Sequence, residues 1–231
     1  MNRIDFLPWL TSTDHYIIGW WGLNLIFFSH VVLLQPPLWV TYFYNIILYG
    51  IGVGLGYVNN LIRRLIILGT VAGGVELIAD YFLVEIANTL VYPSSLPMIL
   101  RSPLYMPLAW AILITQMGYL AYRLNEHHGS IAGSVIPAIL AIGIVGIYEM
   151  GARTAGIWMY TDAPLFMIGH APLFILIAEG CIFAVLQHFV RQLNPFLSGL
   201  AFGLVIVISY IGIYTLFSFV GTLGYYLIIG A

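Results

Sequence analysis

Punctuation by proline, glycine and polar clusters cuts this chain into seven long apolar stretches, near 16–35, 38–58, 61–90, 103–123, 130–151, 164–190 and 196–220. A helix needs roughly 20 predominantly apolar residues to cross the hydrocarbon of a bilayer, and each stretch meets that length. Pro36-Pro37 divides the first two, Asn59-Asn60 the next two, and Tyr92-Pro93-Ser94-Ser95 with Pro97 marks a loop. Asn125 to Gly129 is the most polar stretch, Ala152 to Pro164 reads as an amphipathic connection, and Asn194-Pro195 precedes the last run. The pattern predicts an all-α polytopic bundle of about seven transmembrane helices, forming one integral membrane domain over 1–231. The first residues, with Asp5, Pro8, Trp9, Asp14 and His15, read as a short segment ahead of a retained helix. Thr222 to Ala231 reads as an extension of the last helix or an interfacial tail.

Composition makes the bilayer the natural solvent. The chain is 61% hydrophobic and 7% charged, with a mean hydropathy of +1.00. A net charge of -2 without any basic run excludes nucleic acid as a partner. The single cysteine, Cys181, rules out an internal disulfide framework and, inside an apolar run, reads as packing.

All seven basic residues are arginine, and their distribution orients the bundle. Arg3, Arg63, Arg64, Arg123 and Arg191 fall on the N-terminal side, and Arg101 and Arg153 on the other. The excess predicts a cytoplasmic N-terminus and an exterior or lumenal C-terminus.

Two regions match at an offset of 69 residues. Met98-Ile99, Pro103-Leu104-Tyr105 and Ala109 correspond to Met167-Ile168, Pro172-Leu173-Phe174 and Ala178, while Asp80 falls on Glu149. The expectation is a parallel two-helix repeat over 61–123 and 130–190. Gly50, Gly52, Gly54 and Gly56, with Ala72, Gly73 and Gly74, read as close-packing faces, and a homo-oligomer is compatible with them.

A carboxylate in hydrocarbon is expensive, so each one retained there calls for a partner, a proton or a function. Glu76 and Asp80 are spaced i, i+4 and share a helical face, where two carboxylates cannot both ionise cheaply. Glu179 falls near mid-membrane, with Glu149 and His170 expected near the exterior ends of their helices and Glu85 near the interface. His30, Tyr105, Trp110, Trp158 and Tyr160 are the expected lining of a substrate pocket in the exterior half. Competing readings are structural. Glu149 and Arg153 have the order of an i, i+4 surface ion pair, and His30 reads equally as a helix-to-helix hydrogen-bond partner. Trp9, Trp20, Trp21, Trp39, Tyr42, Tyr44, Trp158 and Tyr160 suit interfacial anchors, and His127-His128 a solvated loop.

Buried acids beside aromatic faces suit acid catalysis on an apolar substrate entering from the bilayer: one carboxyl protonates an alkene or epoxide, and carboxylates and π faces stabilise the cation. Glu149-Met-Gly-Ala-Arg-Thr-Ala-Gly156, followed by Trp158, Tyr160 and Pro172, resembles the pattern of small membrane-embedded carotenoid hydratases and lycopene-cyclase-type enzymes. The paired adjacent acids of those cyclases are absent here. In size and span number the chain is similar to the small membrane terpene cyclases. The resemblance implies a lyase or isomerase that cyclises or hydrates an isoprenoid.

The expected catalytic set is therefore Glu76, Asp80, Glu149 and Glu179, with Glu76 or Asp80 as proton donor, Glu149 as partner and His170 as a base. The expected partners are a lipid-soluble small molecule and membrane lipids, and the sequence calls for no cofactor. Three alternatives stand beside this reading: a small transporter or proton-coupled carrier, a metal-dependent membrane enzyme, and a structural subunit of a membrane complex. No HxxxH or ExxH spacing supports a metal site, so none is assigned.

Overall fold

A computed structural model describes residues 11–93, 95 and 97–229, with side chains through 223. Arg3, Asp5, Pro8, Trp9, Ser94 and the last two residues of the tail lie outside the described residues. The chain is mostly helical: α1 (Ser12–Leu34), α2 (Trp39–Val58), α3 (Asn60–Tyr81), α4 (Met106–Thr154), α5 (Leu173–Val190) and α6 (Pro195–Ile229). All six are long and apolar enough to cross a membrane.

Local chemistry sets the helix starts. Thr11 and Asp14 form a capping box on α1, each side chain accepting from the other's backbone N–H. Asn59 Oδ1 accepts from Leu61 and Ile62 N–H at the start of α3, and Asn194 Oδ1 from Phe196 and Leu197 N–H at the start of α6. α1 ends on Gln35 in the left-handed region, followed by Pro36-Pro37.

The sequence led to seven spans, whereas the described residues form six long helices because the expected fourth and fifth are continuous in α4. Its 49 residues contain one non-helical position, Gly129 (φ 83, ψ 174). A straight helix would hold residues 121 and 133 about 18 Å apart. Instead, a Cβ on Gly133 would stand 2.9 Å from Ala121 O and 2.8 Å from Asn125 Cβ. The helix is therefore bent double at Gly129, and its arms 106–128 and 130–154 lie side by side. Only a residue without a Cβ adopts that φ at no steric cost.

Two other expected spans are shortened. The stretch 61–90 is helical only to Tyr81, then forms a π-helical turn, Phe82–Ile86, before β1 (Leu90–Val91). The stretch 164–190 becomes helical only at Leu173, since 167–172 form a hairpin of β5 (Met167–Ile168) and β6 (Ala171–Pro172) turning through Gly169 at φ 63. A matching hairpin, β2 (Met98–Ile99) with β3 (Ser102–Pro103), precedes α4. Met98 pairs with Pro103 in one hairpin and Met167 with Pro172 in the other. β1 pairs antiparallel with β4 (Met159–Tyr160), tying the loop after α3 to the loop after α4.

The core lies between α3 and α4, α5 and α6. A Cβ on Gly73 would meet Pro107 O at 2.6 Å, and one on Gly203 of α6 would meet Val75 Cβ of α3 at 2.6 Å, so α3 touches both partners closely. In α2 only alternate members of the expected glycine face are used. Gly52 receives the Trp20 ring and Gly56 faces the Arg63 backbone, whereas nothing lies within 4 Å of Gly50 or Gly54. Trp20, expected in the interfacial belt, is buried by that contact. Cys181 is exposed on α5 rather than packed inside.

At the end of the bundle opposite the strands, polar residues interlock. Arg123 pairs with Asp14 at 3.0 Å and with Glu126 at 3.4 Å, and Tyr119 O–H donates to Asp14. Arg64 donates to Gln192 O, and Gln187 bonds Asn125, Ser130 and Ser134.

Candidate functional site

Glu76 and Asp80 stand one turn apart on α3, buried toward its strand-capped end. Their i, i+4 spacing puts both carboxyl groups on one face of the helix. Asp80 Oδ2 also accepts from Tyr92 O–H at 2.8 Å and Ser102 Oγ–H at 2.6 Å. Both donors come from the loop between α3 and α4, and Ser102 is held by the β2–β3 ladder. On the last turn of α4, Glu149 accepts from Trp158 Nε1–H at 2.6 Å and Tyr160 O–H at 3.5 Å. That pairing stands in place of the competing reading of a Glu149–Arg153 ion pair, and Arg153 is exposed. On α5, Glu179 accepts from Tyr210 O–H of α6.

These four acids, from three helices, line one cavity of about 170 Å³. Its walls are apolar and aromatic. α1 contributes Phe27, Phe28 and Val31, α2 Tyr44 and Leu48, and α4 Trp110, Leu113 and Val145. Such a chamber, apolar with a few convergent polar groups, is the usual form of a small-molecule site. Burial pushes the phenols of Tyr92 and Tyr160 well above the ordinary tyrosine range, so both remain O–H donors to the acids they face.

Of the expected lining, Tyr105, Trp110, Trp158 and Tyr160 face the cavity. His30 does not; its Nδ1 lies 3.1 Å from the hydroxyl of Tyr44, which does. His170 is not among the lining residues either. It sits in the turn between β5 and β6, because the chain there forms a hairpin and not the expected start of a helix. Glu85 pairs with Arg101 at 2.7 Å outside the cavity. Among the described residues, no three His, Cys, Asp or Glu side chains are grouped as a metal site requires.

Several buried polar atoms in this chamber have no partner among the described residues: Glu76 Oε2, Glu179 Oε2, Tyr105 O–H and Thr41 Oγ. An unpaired buried polar group costs about 1–3 kcal/mol, so four on one chamber mark a place prepared for something else. Tyr92, Ser102 and Tyr210, which hold two of the acids' oxygens, Asp80 Oδ2 and Glu179 Oε1, were not among the expected site residues.

Residues 77–219, more than half of the chain, match the model of a protein family described as a domain of unknown function, DUF6989. The chain belongs to the DUF6989 family. The matched region includes Asp80, Glu149 and Glu179 with all their donors, while Glu76 and the α1 and α2 walls lie just before it. No curated protein and no solved structure matches the chain.

Proposed function

We propose that this protein is an integral membrane enzyme that performs acid–base chemistry on a lipid-soluble, isoprenoid-type substrate held in the four-acid cavity. The observation that carries the reading is the gathering of Glu76, Asp80, Glu149 and Glu179 on one apolar, aromatic-walled chamber, with Glu76 Oε2 and Glu179 Oε2 unpartnered. Glu76 is the acid. Its Oε2 has no partner among the described residues, and it stands one helical turn from Asp80, whose partners Tyr92 and Ser102 are O–H donors that favour a carboxylate. Protonation of a substrate alkene by Glu76 leaves a carbocation, which Trp110 and the Asp80 and Glu149 carboxylates stabilise. Ring closure and loss of a proton to a carboxylate give an isomer of the substrate, while capture of water followed by proton loss gives a hydrated product.

The membrane arrangement belongs to the same proposal. With the two arms of α4 counted separately, seven spans cross the bilayer, the N-terminus is cytoplasmic, and the cavity lies in the exterior half. Arg64 and Arg123 at the end opposite the strands support this orientation. A parallel repeat over 61–123 and 130–190 is supported by the two hairpins, whose paired residues correspond at a constant offset and whose registers agree. It makes Asp80 and Glu149 equivalent positions.

The test is single replacement, Glu76→Gln, Asp80→Asn and Glu179→Gln, with product measured in extracted lipids. A loss of about 10²-fold or more in each folded variant is expected. Full turnover in all three would defeat acid catalysis by this set. Proton flux in substrate-free liposomes, abolished by the same changes, would instead favour a proton-coupled carrier.

A further inference from the structure

The four acids leave one part of the cavity unexplained. Tyr105 and Thr41 line it away from any carboxylate bond, and both hydroxyls are buried without a partner. They arise from separate elements. Tyr105 precedes the first turn of α4, Thr41 lies in the first turn of α2, and the ring of Tyr42 packs edge-on against that of Tyr105 at 4.8 Å. Tyr42, in contrast, has its hydroxyl satisfied by Pro97 O. Nearby Asn45 Nδ2 donates to Thr41 O. The two free hydroxyls are therefore not members of an internal network. Burial pushes the Tyr105 phenol well above its ordinary range, so it is a neutral donor suited to a neutral acceptor.

Resting on the reading of the chamber as a lipid-substrate site, we propose that its ligand is an isoprenoid bearing an oxygen function, a hydroxyl or carbonyl, and that Tyr105 and Thr41 bind this oxygen. A pure hydrocarbon would leave both hydroxyls desolvated and unpaired, which is the condition under which a site rejects the analogue lacking the polar group. The oxygen also fixes which carbon of a long, flexible chain reaches Glu76, since an apolar wall alone defines no register along it.

The probes are farnesol and farnesene, which share the farnesyl skeleton and differ in the hydroxyl. Binding is read as the thermal shift of the full chain in nanodiscs and as quenching of its tryptophan fluorescence, at matched lipid-phase concentration. Wild type is expected to bind farnesol about tenfold or more tightly than farnesene. Tyr105→Phe is expected to remove most of that preference, and Thr41→Val the rest, while Thr41→Ser retains it. Tyr105→Phe and Thr41→Val keep the wild-type melting temperature without ligand to within a few degrees, or gain on it, since each loses an unpaired buried hydroxyl. Equal binding of the two probes by wild type, or an unchanged preference in Tyr105→Phe, overturns the proposal. Failure of both probes to bind overturns it together with the lipid-substrate reading. A hydroxyl preference that depends on Tyr105, found alongside acid variants of full turnover, sustains the subsite and rejects only the acid catalysis.

Discussion

Asp80 and Glu149 face one cavity from the ends of two different helices, and each is held by two side-chain donors: Tyr92 and Ser102 on Asp80, Trp158 and Tyr160 on Glu149. In both cases the donors come from the loop that follows the acid's own helix. The β1–β4 pair joins those two loops, so the acids are positioned by one shared cap.

Removing a donor should therefore disturb the acid it holds without unfolding the bundle. Ser102→Ala, which takes the 2.6 Å bond from Asp80, is expected to cost about 1.5–3 kcal/mol in stability and to lower turnover about tenfold or more. Trp158→Phe should act similarly through Glu149. Thermal melts and product formation read the two effects separately, and wild-type behaviour of both variants would show that these bonds do not position the acids.

Helix approach gives a second, independent prediction. Gly73→Ala places a Cβ 2.6 Å from Pro107 O, a backbone atom that cannot swing aside, and should destabilise by about 1–3 kcal/mol or more. Gly54→Ala meets nothing within 4 Å and should be neutral or stabilising by up to about 1 kcal/mol. Comparable melting temperatures for the two would contradict the α3–α4 packing described above.

Asp14 and Arg123 form a largely buried pair, with side chains 6% and 15% exposed. Asp14→Asn leaves the guanidinium short of its strongest partner, and a loss of about 3 kcal/mol is expected. Because this contact anchors α1 at the end remote from the cavity, the substrate affinity of the folded fraction should change little. A large rise in KM with unaltered stability would contradict that division.

Topology is open to direct labelling in a Cys181→Ala background. A cysteine at exposed His128, in the bend of α4, should react only with a reagent on the cytoplasmic side. One at Leu100, 60% exposed in the β2–β3 turn, should react only from outside. Labelling of both from one side would refute an odd number of crossings between them, and reversal of the two would refute the orientation.

Long apolar runs closed by proline, glycine and asparagine were sufficient to indicate a membrane-type helical protein, since that signal is local and the bilayer sets the required length. The same local signal failed where backbone hydrogen bonds were satisfied by something other than a helix. The segments 82–90 and 164–172 are apolar enough to extend helices, yet a π-turn and a hairpin take their place. That choice removed His170 from the cavity.

By itself, then, the sequence determined that acids must be buried in an apolar helical protein, because composition and i, i+4 spacing are properties of the chain alone. Only the tertiary structure decided that Glu76, Asp80, Glu149 and Glu179 share a chamber, that Tyr92, Ser102 and Tyr210 hold them, and that His30 and His170 stand outside. Convergence depends on how helices are rotated and how loops fold over their ends. Those are set by contacts such as Gly73 on Pro107 O and Leu90 opposite Tyr160, between residues far apart along the chain.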